Sequence, residues 1–155
     1  MIRRAELAGT DAGAVARLVA EYLRQTEKEK VARGVAAPTV GLPAAYAAEV
    51  NDPLIAYADC SVWGAEIAGE VVGVVVLREV EGEWEIKRLW AAPDVRGRGV
   101  GSALLDAAVV AAGGRVRLSV WQWRTDAIRL YESRGFTPVP SWDARPSLVC
   151  MRLHP

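Results

Sequence analysis

Two arginines and three glycines are interleaved in one short run, Arg96-Gly97-Arg98-Gly99-Val100-Gly101, that leads into a helix-like segment. Apolar residues then recur at steps of three and four, which predicts a helix: Val100, Leu104, Leu105, Ala108 and Val109. Glycines allow a ligand to approach the backbone closely, and a helix start offers unpaired N–H groups at the positive end of its dipole. The run therefore predicts a site for a phosphate or diphosphate, bound by amides and two guanidinium groups.

Two familiar phosphate-binding loops fit this run poorly. A Walker loop needs Gly-Lys-Ser/Thr, whereas this chain has Gly101-Ser102-Ala103. A dinucleotide fingerprint needs a third small residue, which Ser102 supplies only loosely. It also needs an acidic residue at the end of the next strand, where Trp121-Gln122-Trp123 stands. A surface helix with incidental glycines is the remaining non-functional alternative.

A third scheme fits better. The run, with RLWAAPD before it and SALL after it, is similar to the acyl-CoA-binding signature of the GNAT superfamily of N-acetyltransferases. The resemblance extends from Ile2 to near Met151 and is most specific over Glu85–Leu105 and Ala127–Phe136. It implies that one loop binds the diphosphate of acetyl-CoA, through Arg96, Gly97, Arg98, Gly99, Val100, Gly101 and Ser102.

The strand before the loop contains a break in its alternation, because Ile86 and Leu89 are three residues apart. This predicts a bulge that bends the strand and exposes backbone donors; a strand that twists between two cores is the alternative. The resemblance implies that the pantetheine arm enters a splay here, and that Leu89, Trp90 and Ala91 contact it and the acetyl group. A backbone N–H there would stabilise the thioester oxyanion.

Glu85 is the candidate general base, because an amine of pKa about 10.4 must lose a proton before it attacks a thioester. Its carboxylate would act through one or two waters. Glu83 lies on the same strand face and is the competing candidate, and either residue can instead be a solvated strand charge. Arg88 is expected to pair with Glu85.

Tyr131 lies in Leu130-Tyr131-Glu132-Ser133-Arg134-Gly135-Phe136, which is similar to the LY…GF signature of the same superfamily. The resemblance implies that the hydroxyl lies beside the CoA sulfur and protonates the departing thiolate. A core tyrosine is the structural alternative. Arg124 departs from the family pattern, which often has Asn three residues before the position of Ala127. An arginine there can still reach a phosphate or the adenine, and whether it contacts the cofactor stays open.

Aromatic residues are predicted on the acceptor side of the site. Trp121 and Trp123 flank the end of the fifth strand and are expected to be exposed, and Tyr22 is a further candidate. Such rings can bind an apolar or cationic acceptor, although packing against the C-terminal hairpin is the alternative. The acceptor is expected to be the amine of a small molecule or a peptide, and its identity stays open.

Length and composition argue against several other classes of protein. The 155 residues predict one domain, 1–155, and the zero net charge argues against a nucleic-acid binder. The longest apolar run, Val71–Leu77, is too short to cross a membrane and no secretion signal begins the chain, so a cytoplasmic location is expected. Cys60 and Cys150 are expected to be thiols and lack metal-ligand spacing, so no metal site is predicted.

These patterns together predict an α/β GNAT fold with a mixed, mostly antiparallel sheet of six to seven strands. Helices are expected on both faces, strands four and five are expected to be parallel because a helix joins them, and these two strands should splay apart. The predicted function is transfer of acetyl from acetyl-CoA to a primary amine. A non-catalytic acyl-CoA-binding module and a nucleotide-binding regulatory domain are the alternatives. Members of the family often form homodimers, which this sequence does not decide.

Overall fold

The computed structural model describes residues 1–154, which form a single seven-stranded sheet flanked by helices. The strands are β1 (Ile2–Arg4), β2 (Cys60–Ile67), β3 (Glu70–Val80), β4 (Glu83–Ala91), β5 (Val116–Trp121), β6 (Thr137–Val139) and β7 (Leu148–Leu153). The helices are α1 (Asp11–Ala32), α2 (Ala44–Asn51), α3 (Pro53–Ala56), α4 (Val100–Ala112) and α5 (Thr125–Ser133), with a short 3-10 helix at Pro93–Val95.

The sheet has the order β1-β2-β3-β4-β5-β7-β6 and is antiparallel except between β4 and β5. Strands β2, β3 and β4 form a meander joined by tight turns, whereas helices α1, α2 and α3 lie between β1 and β2 in the chain. Helix α4 then crosses over and returns β5 parallel to β4, because a strand–helix–strand connection of this length does so. The predicted fold class and the parallel pair are confirmed.

Two apolar cores lie on opposite faces of the sheet. One core includes the buried stripe of α4, with Leu104, Leu105 and Ala108 fully enclosed, and also Tyr131 of α5. The other core packs Val15, Leu18 and related positions of α1 against β2 and β3. Strand β3 has buried residues from Val71 to Leu77, because both of its faces are covered.

Helix α1 runs through its charged last turns to Ala32, and α2 follows it after a loop. A short helix that the sequence analysis missed follows α2; Pro53 begins it and Asp52 caps it by accepting a hydrogen bond from the Ile55 N–H. Among residues 1–154, no helix combines the length and apolar character that crossing a membrane requires.

Gly73 lets α4 pack closely on β3. A Cβ at this position would lie 2.8 Å from Val100 Cγ1, 2.9 Å from Leu104 Cδ1 and 3.3 Å from the Trp90 carbonyl oxygen. Val100 and Leu104 are both buried, so neither side chain can move aside freely. The absence of a side chain at Gly73 therefore fixes the distance between the start of α4 and the sheet.

We expect Gly73→Ala to lower the free energy of unfolding by about 1–3 kcal/mol, because it overpacks this contact. The matched control is Gly13→Ala in α1, where a Cβ meets nothing within 4 Å. That control is expected to be neutral or stabilising by about 0.5–1 kcal/mol. Urea unfolding of both variants checks the difference, and equal stabilities would contradict the close approach of α4.

Candidate functional site

A bulge in β4 is the local feature from which the site is built. Val74 of β3 pairs with Trp90, whereas Val76 pairs with Lys87, so β4 contains one more residue than β3 over this stretch. Arg88 lies inside it with a φ of 53°, a left-handed conformation that is uncommon for a residue with a side chain. The bulge predicted between Ile86 and Leu89 is therefore confirmed.

Strands β4 and β5 separate just before this bulge. Their parallel pairing consists of Trp84 with Val116, Glu85 with Arg117 and Ile86 with Leu118, and goes no further. Both strands continue beyond that point, β4 to Ala91 and β5 to Trp121. The predicted splay between strands four and five is therefore confirmed, and it leaves backbone groups of both strands without a partner on the facing strand.

A cavity of about 340 Å³ opens at the separation, between the sheet and helices α1 and α5. This volume lies within the range of small-molecule binding sites. Six predicted site residues border the cavity: Tyr22, Glu85, Leu89, Trp121, Arg124 and Tyr131. Trp90, Ala91 and the Arg96–Ser102 loop do not border it, and Trp123 borders a shallower hollow beside Arg33 and Ser147. The structure thus brings the proposed base, the proposed acid and most of the acceptor candidates to one space.

Glu85 lies in a row of charges that crosses the sheet. Its carboxylate accepts hydrogen bonds from Arg117 Nε at 3.1 Å and from Arg78 at 3.2 Å, and Lys87 Nζ lies 3.8 Å away. Arg88 does not pair with Glu85, so that expectation is wrong. The reason is geometric, because the bulge directs Arg88 toward α2 instead.

Glu83, the competing base candidate, is committed elsewhere. Both of its oxygens accept hydrogen bonds from Arg152, at 2.7 and 2.8 Å, and it does not border the cavity. The hydrogen bonds from Arg152 hold the pKa of Glu83 below its usual range. Of the two carboxylates, only Glu85 is placed where it can exchange a proton with a molecule in the cavity.

Tyr131 projects from α5 into the apolar core at the cavity wall. Tyr131 is 8 % exposed, and the centroid of its ring lies 6.0 Å from that of the Phe136 ring. Burial raises the pKa of Tyr131 above its usual range, with a smaller contribution from nearby Tyr22. The phenol therefore keeps its proton throughout the physiological pH range and can serve as an acid.

Arg88 is held by α2 rather than by the sheet. Its Nε and a terminal nitrogen each donate to the Glu49 carboxylate at 2.9 Å, and Tyr57 donates to the same carboxylate at 2.7 Å. The guanidinium also lies over the rings of Tyr22 and Tyr46, 5.6 Å from each centroid. These contacts stabilise the left-handed residue on which the bulge depends.

The start of α4 is open, as the arginine–glycine run predicts. Gly97 and Gly99 have φ values of 79° and 78°, and added Cβ atoms would meet nothing within 4 Å. No side chain caps the helix, and the first N–H bonded within it is that of Ala103, which donates to the Gly99 carbonyl at 3.0 Å. The three preceding N–H groups of the helix are thus available to an anion.

Both arginines of the loop, Arg96 and Arg98, are exposed. Arg96 folds back over Trp90, with its guanidinium 4.4 Å from the ring centroid and Nε 3.3 Å from the Ala91 carbonyl oxygen. Trp90 in turn donates to Glu21 of α1 at 3.0 Å. Leu89, Trp90 and Ala91 are all half-buried along the edge of the separation.

The acceptor-side aromatics are packed more tightly than expected. Trp121 is only 7 % exposed, which makes the expectation of an exposed ring wrong; it pairs with Leu148 in β7 and stacks on Trp123 with centroids 5.0 Å apart. Trp123 is half-buried and donates to Glu29 at 2.8 Å. The C-terminal hairpin and α1 therefore fix both rings.

Arg124 is anchored to α1 at the start of α5. Its Nε donates to Glu29 at 2.9 Å, a terminal nitrogen donates to Thr26 at 2.7 Å, and the guanidinium lies 5.2 Å from the Tyr22 ring centroid. It borders the cavity in this position. Contact of Arg124 with a cofactor stays a prediction.

Sequence reasoning missed several residues that shape the cavity. Arg117 is almost fully buried, and its guanidinium lies 4.6 Å from the ring centroid of Trp142, a residue of the β6–β7 loop. Arg78 and Lys87 border the same end of the cavity. The pairing of β3, β4 and β5 was needed to bring Arg78 and Arg117 beside Glu85.

Comparisons with known proteins agree with this geometry. The model of the acetyltransferase (GNAT) family matches residues 17–136. No curated protein sequence matches the chain.

Solved structures share its fold at low identity. A Klebsiella pneumoniae protein assigned as an acyl-CoA N-acyltransferase is 23% identical over 99% of this chain and 96% of its own, with a TM-score of 0.70. A Salmonella typhimurium protein assigned as an acetyltransferase, solved with acetyl-CoA, is 21% identical over 99% and 92%, with a TM-score of 0.67. A GNAT acetyltransferase from Elizabethkingia anophelis, also with acetyl-CoA, is 14% identical over 99% and 97%, with a TM-score of 0.64.

The Glu49–Arg88 pair predicts a pH dependence of stability. Burial alone would raise the pKa of Glu49, but the hydrogen bonds and charge of Arg88 outweigh it, and the pKa is lowered. Its contribution is therefore present above the unfolded-state pKa, about 4.3, and is lost as the pH falls through the folded-state value. We expect Glu49→Gln to cost about 3 kcal/mol at pH 7, because it leaves a mostly buried guanidinium without its charge partner.

Unfolding of Glu49→Gln and the wild type by urea, from pH 7 to acid, checks this. The difference between their free energies of unfolding should decrease as the pH falls. Glu70→Gln, at an exposed carboxylate, serves as the control and should run parallel to the wild type. A difference in the free energy of unfolding that stays constant with pH would contradict the lowered pKa of Glu49.

Proposed function

The chain belongs to the GNAT family of acetyltransferases, and from that premise we propose that it transfers the acetyl group of acetyl-CoA to a primary amine by direct attack. The observation that carries this proposal is the separation of β4 from β5, at which the cavity bordered by Tyr131 opens. The open start of α4 supports it as a site for the diphosphate. An elongated thioester that spans from the start of α4 through the separation would meet an amine in the cavity.

The residues at the start of α4 fit the diphosphate of acetyl-CoA. Glycines with positive φ leave open space where side chains would stand, and the uncapped amides of Val100, Gly101 and Ser102 form the anion site. Arg98 is exposed beside them and adds positive charge. The bound co-substrate would supply an acyl group activated as a thioester.

The separation of β4 and β5 fits the pantetheine arm. Leu89, Trp90 and Ala91 lie on β4 beyond its last pair with β5, so no β5 residue pairs with them on that edge. An extended amide-containing arm can hydrogen-bond to such an edge as an added strand does. An N–H of the same edge would stabilise the negative charge that develops on the thioester oxygen.

Glu85 and Tyr131 carry the proposed proton transfers. The amine gives up a proton through water to Glu85, whose carboxylate borders the cavity. The neutral amine nitrogen then bonds to the acetyl carbon as the carbon–sulfur bond breaks, and the Tyr131 hydroxyl gives its proton to the sulfur. The proton that the new amide nitrogen loses returns to the Tyr131 oxygen through water. Burial raises the pKa of Tyr131, so the phenol holds a proton to give at the pH where the amine is attacked.

Two rival functions make different predictions. A non-catalytic acyl-CoA-binding module would bind acetyl-CoA yet release no thiol with any amine. A nucleotide-binding domain would bind ATP more tightly than CoA. Calorimetric titration with acetyl-CoA, CoA and ATP, together with a thiol-release assay on a panel of amines, separates the three. Absence of acetyl-CoA binding at millimolar ligand would refute the proposed function.

Gly99→Val should weaken acetyl-CoA binding about ten-fold or more, since a branched residue disfavours the left-handed backbone that aims the α4 amides. The matched control is Gly82→Val, which imposes similar strain at φ 81° in the β3–β4 turn and also meets open space. Calorimetry should show near wild-type affinity for that control. Equal losses in both variants would attribute the effect to general strain rather than to the helix start.

Tyr131→Phe should lower kcat about 100-fold with little change in KM. The substitution removes the hydroxyl that donates the proton, while the ring still packs on Phe136. Acetyl-CoA affinity, measured by calorimetry on the same sample, should stay at the wild-type value. An unchanged kcat would exclude Tyr131 as the general acid. A rise in KM alone would instead assign it a binding role.

A further inference from the structure

The charges around the cavity are unbalanced at one end. Seven cationic side chains border the cavity, and four of them are matched one to one with a carboxylate at an N–O distance of 2.9 Å. The matched pairs are Lys30 with Glu27, Arg88 with Glu49, Arg124 with Glu29, and Arg145 with Asp143. The other three cations are Arg78, Lys87 and Arg117.

These three share essentially one carboxylate. Glu85 lies 3.2 Å from Arg78, 3.8 Å from Lys87 and 3.1 Å from Arg117. Glu83 approaches Arg117 only to 3.9 Å, because both of its oxygens are taken by Arg152. Among residues 1–154, three positive groups therefore face one close negative group, and two positive charges remain without a close counter-charge.

Lys87 is the least satisfied of the three. Among residues 1–154 its ion pair is with Glu85 alone, at a distance longer than a hydrogen bond, and its side chain is 30% exposed. Burial lowers the pKa of Lys87, and the positive charges of Arg88 and Arg78 lower it further. An anion placed against its ammonium would relieve that repulsion.

The position of this cluster separates it from the diphosphate site. Lys87 immediately precedes the bulged Arg88 and lies just past Ile86, the last β4 residue that pairs with β5. No residue of the Arg96–Ser102 loop borders the cavity, so the cluster faces the acceptor side and not the start of α4. Lys87 and Tyr131 border the same cavity of about 340 Å³.

Resting on the proposed function, we propose that the acceptor is a small primary amine that also carries an anionic group, which binds against Lys87 and Arg78. A carboxylate, a phosphonate and a sulfonate share the required charge and hydrogen-bond acceptors. The anion fixes the acceptor at the point where the strands part, and this leaves its amine free in the space that Tyr131 borders. Electrostatic complementarity of this kind selects against polyamines, because they would add positive charge to a cationic cluster.

Matched acceptors test the proposal directly in the wild-type protein. The common amino acids, aminomethylphosphonate and taurine are compared with the corresponding amino-acid amides and with spermidine, in a thiol-release assay at saturating acetyl-CoA. We expect kcat/KM for the best anionic amine to exceed that of its neutral counterpart by about 10- to 100-fold. The relative rates of the carboxylate, phosphonate and sulfonate compounds identify which anion the cluster prefers.

Variants of Lys87 then locate the effect. Lys87→Met should remove most of the difference between the acid and its amide while acetyl-CoA affinity is unchanged, and Lys87→Arg should retain it. Arg24→Met removes an exposed cation of α1 that does not border the cavity, and it should keep the wild-type preference.

Efficient acetylation of spermidine or of amides, with no advantage for the acids, would overturn this inference and leave the proposed function intact. A preference for acids that survives in Lys87→Met would also overturn the assigned anion site. If acetyl-CoA binds but no amine of the panel is acetylated, the proposed function fails and the inference fails with it.

Discussion

The extra residue in β4 is the constraint on which the rest of the site depends. Arg88 adopts a left-handed backbone that a side chain normally disfavours, and the bidentate hydrogen bonds to Glu49 help to hold it there. Pairing of β4 with β5 stops two residues earlier, at Ile86. The bulge therefore separates a closed sheet, which carries the fold, from an open edge, which a ligand can enter.

Different interactions position the elements on the two faces of the sheet. On one face, α4 is fixed by apolar packing, and Gly73 sets how closely its first turn approaches β3. On the other face, the wall of the cavity is held by polar contacts, such as Glu29 with Arg124 and Glu49 with Arg88. Helix α2 has no fully buried residue; Tyr46 and Val50 pack partly buried against the α1 core, and Glu49 ties the helix to Arg88 and Tyr57. The co-substrate side is thus held by apolar packing, whereas the acceptor side also depends on charged pairs.

The sequence predicts the fold and the proposed co-substrate site more completely than the acceptor site. Local signals identified the bulge, the open start of α4 and the parallel crossover, because each depends on a few neighbouring residues. The row formed by Arg78, Glu85 and Arg117 joins three strands and depends on register, which the strand patterns did not specify. The partner of Arg88 and the burial of Trp121 were misjudged for the same reason, since α2 and β7 approach them only in the folded chain. A short helix of four residues, α3, offered too little periodicity to be detected.

A crystal structure of the chain with acetyl-CoA tests the central claim most directly. The account predicts diphosphate oxygens within hydrogen-bond distance of the Val100, Gly101 and Ser102 N–H groups. It also predicts the pantetheine arm between β4 and β5 and the sulfur beside the Tyr131 hydroxyl. Acetyl-CoA bound elsewhere, with the start of α4 unoccupied and the gap between the two strands empty, would contradict it.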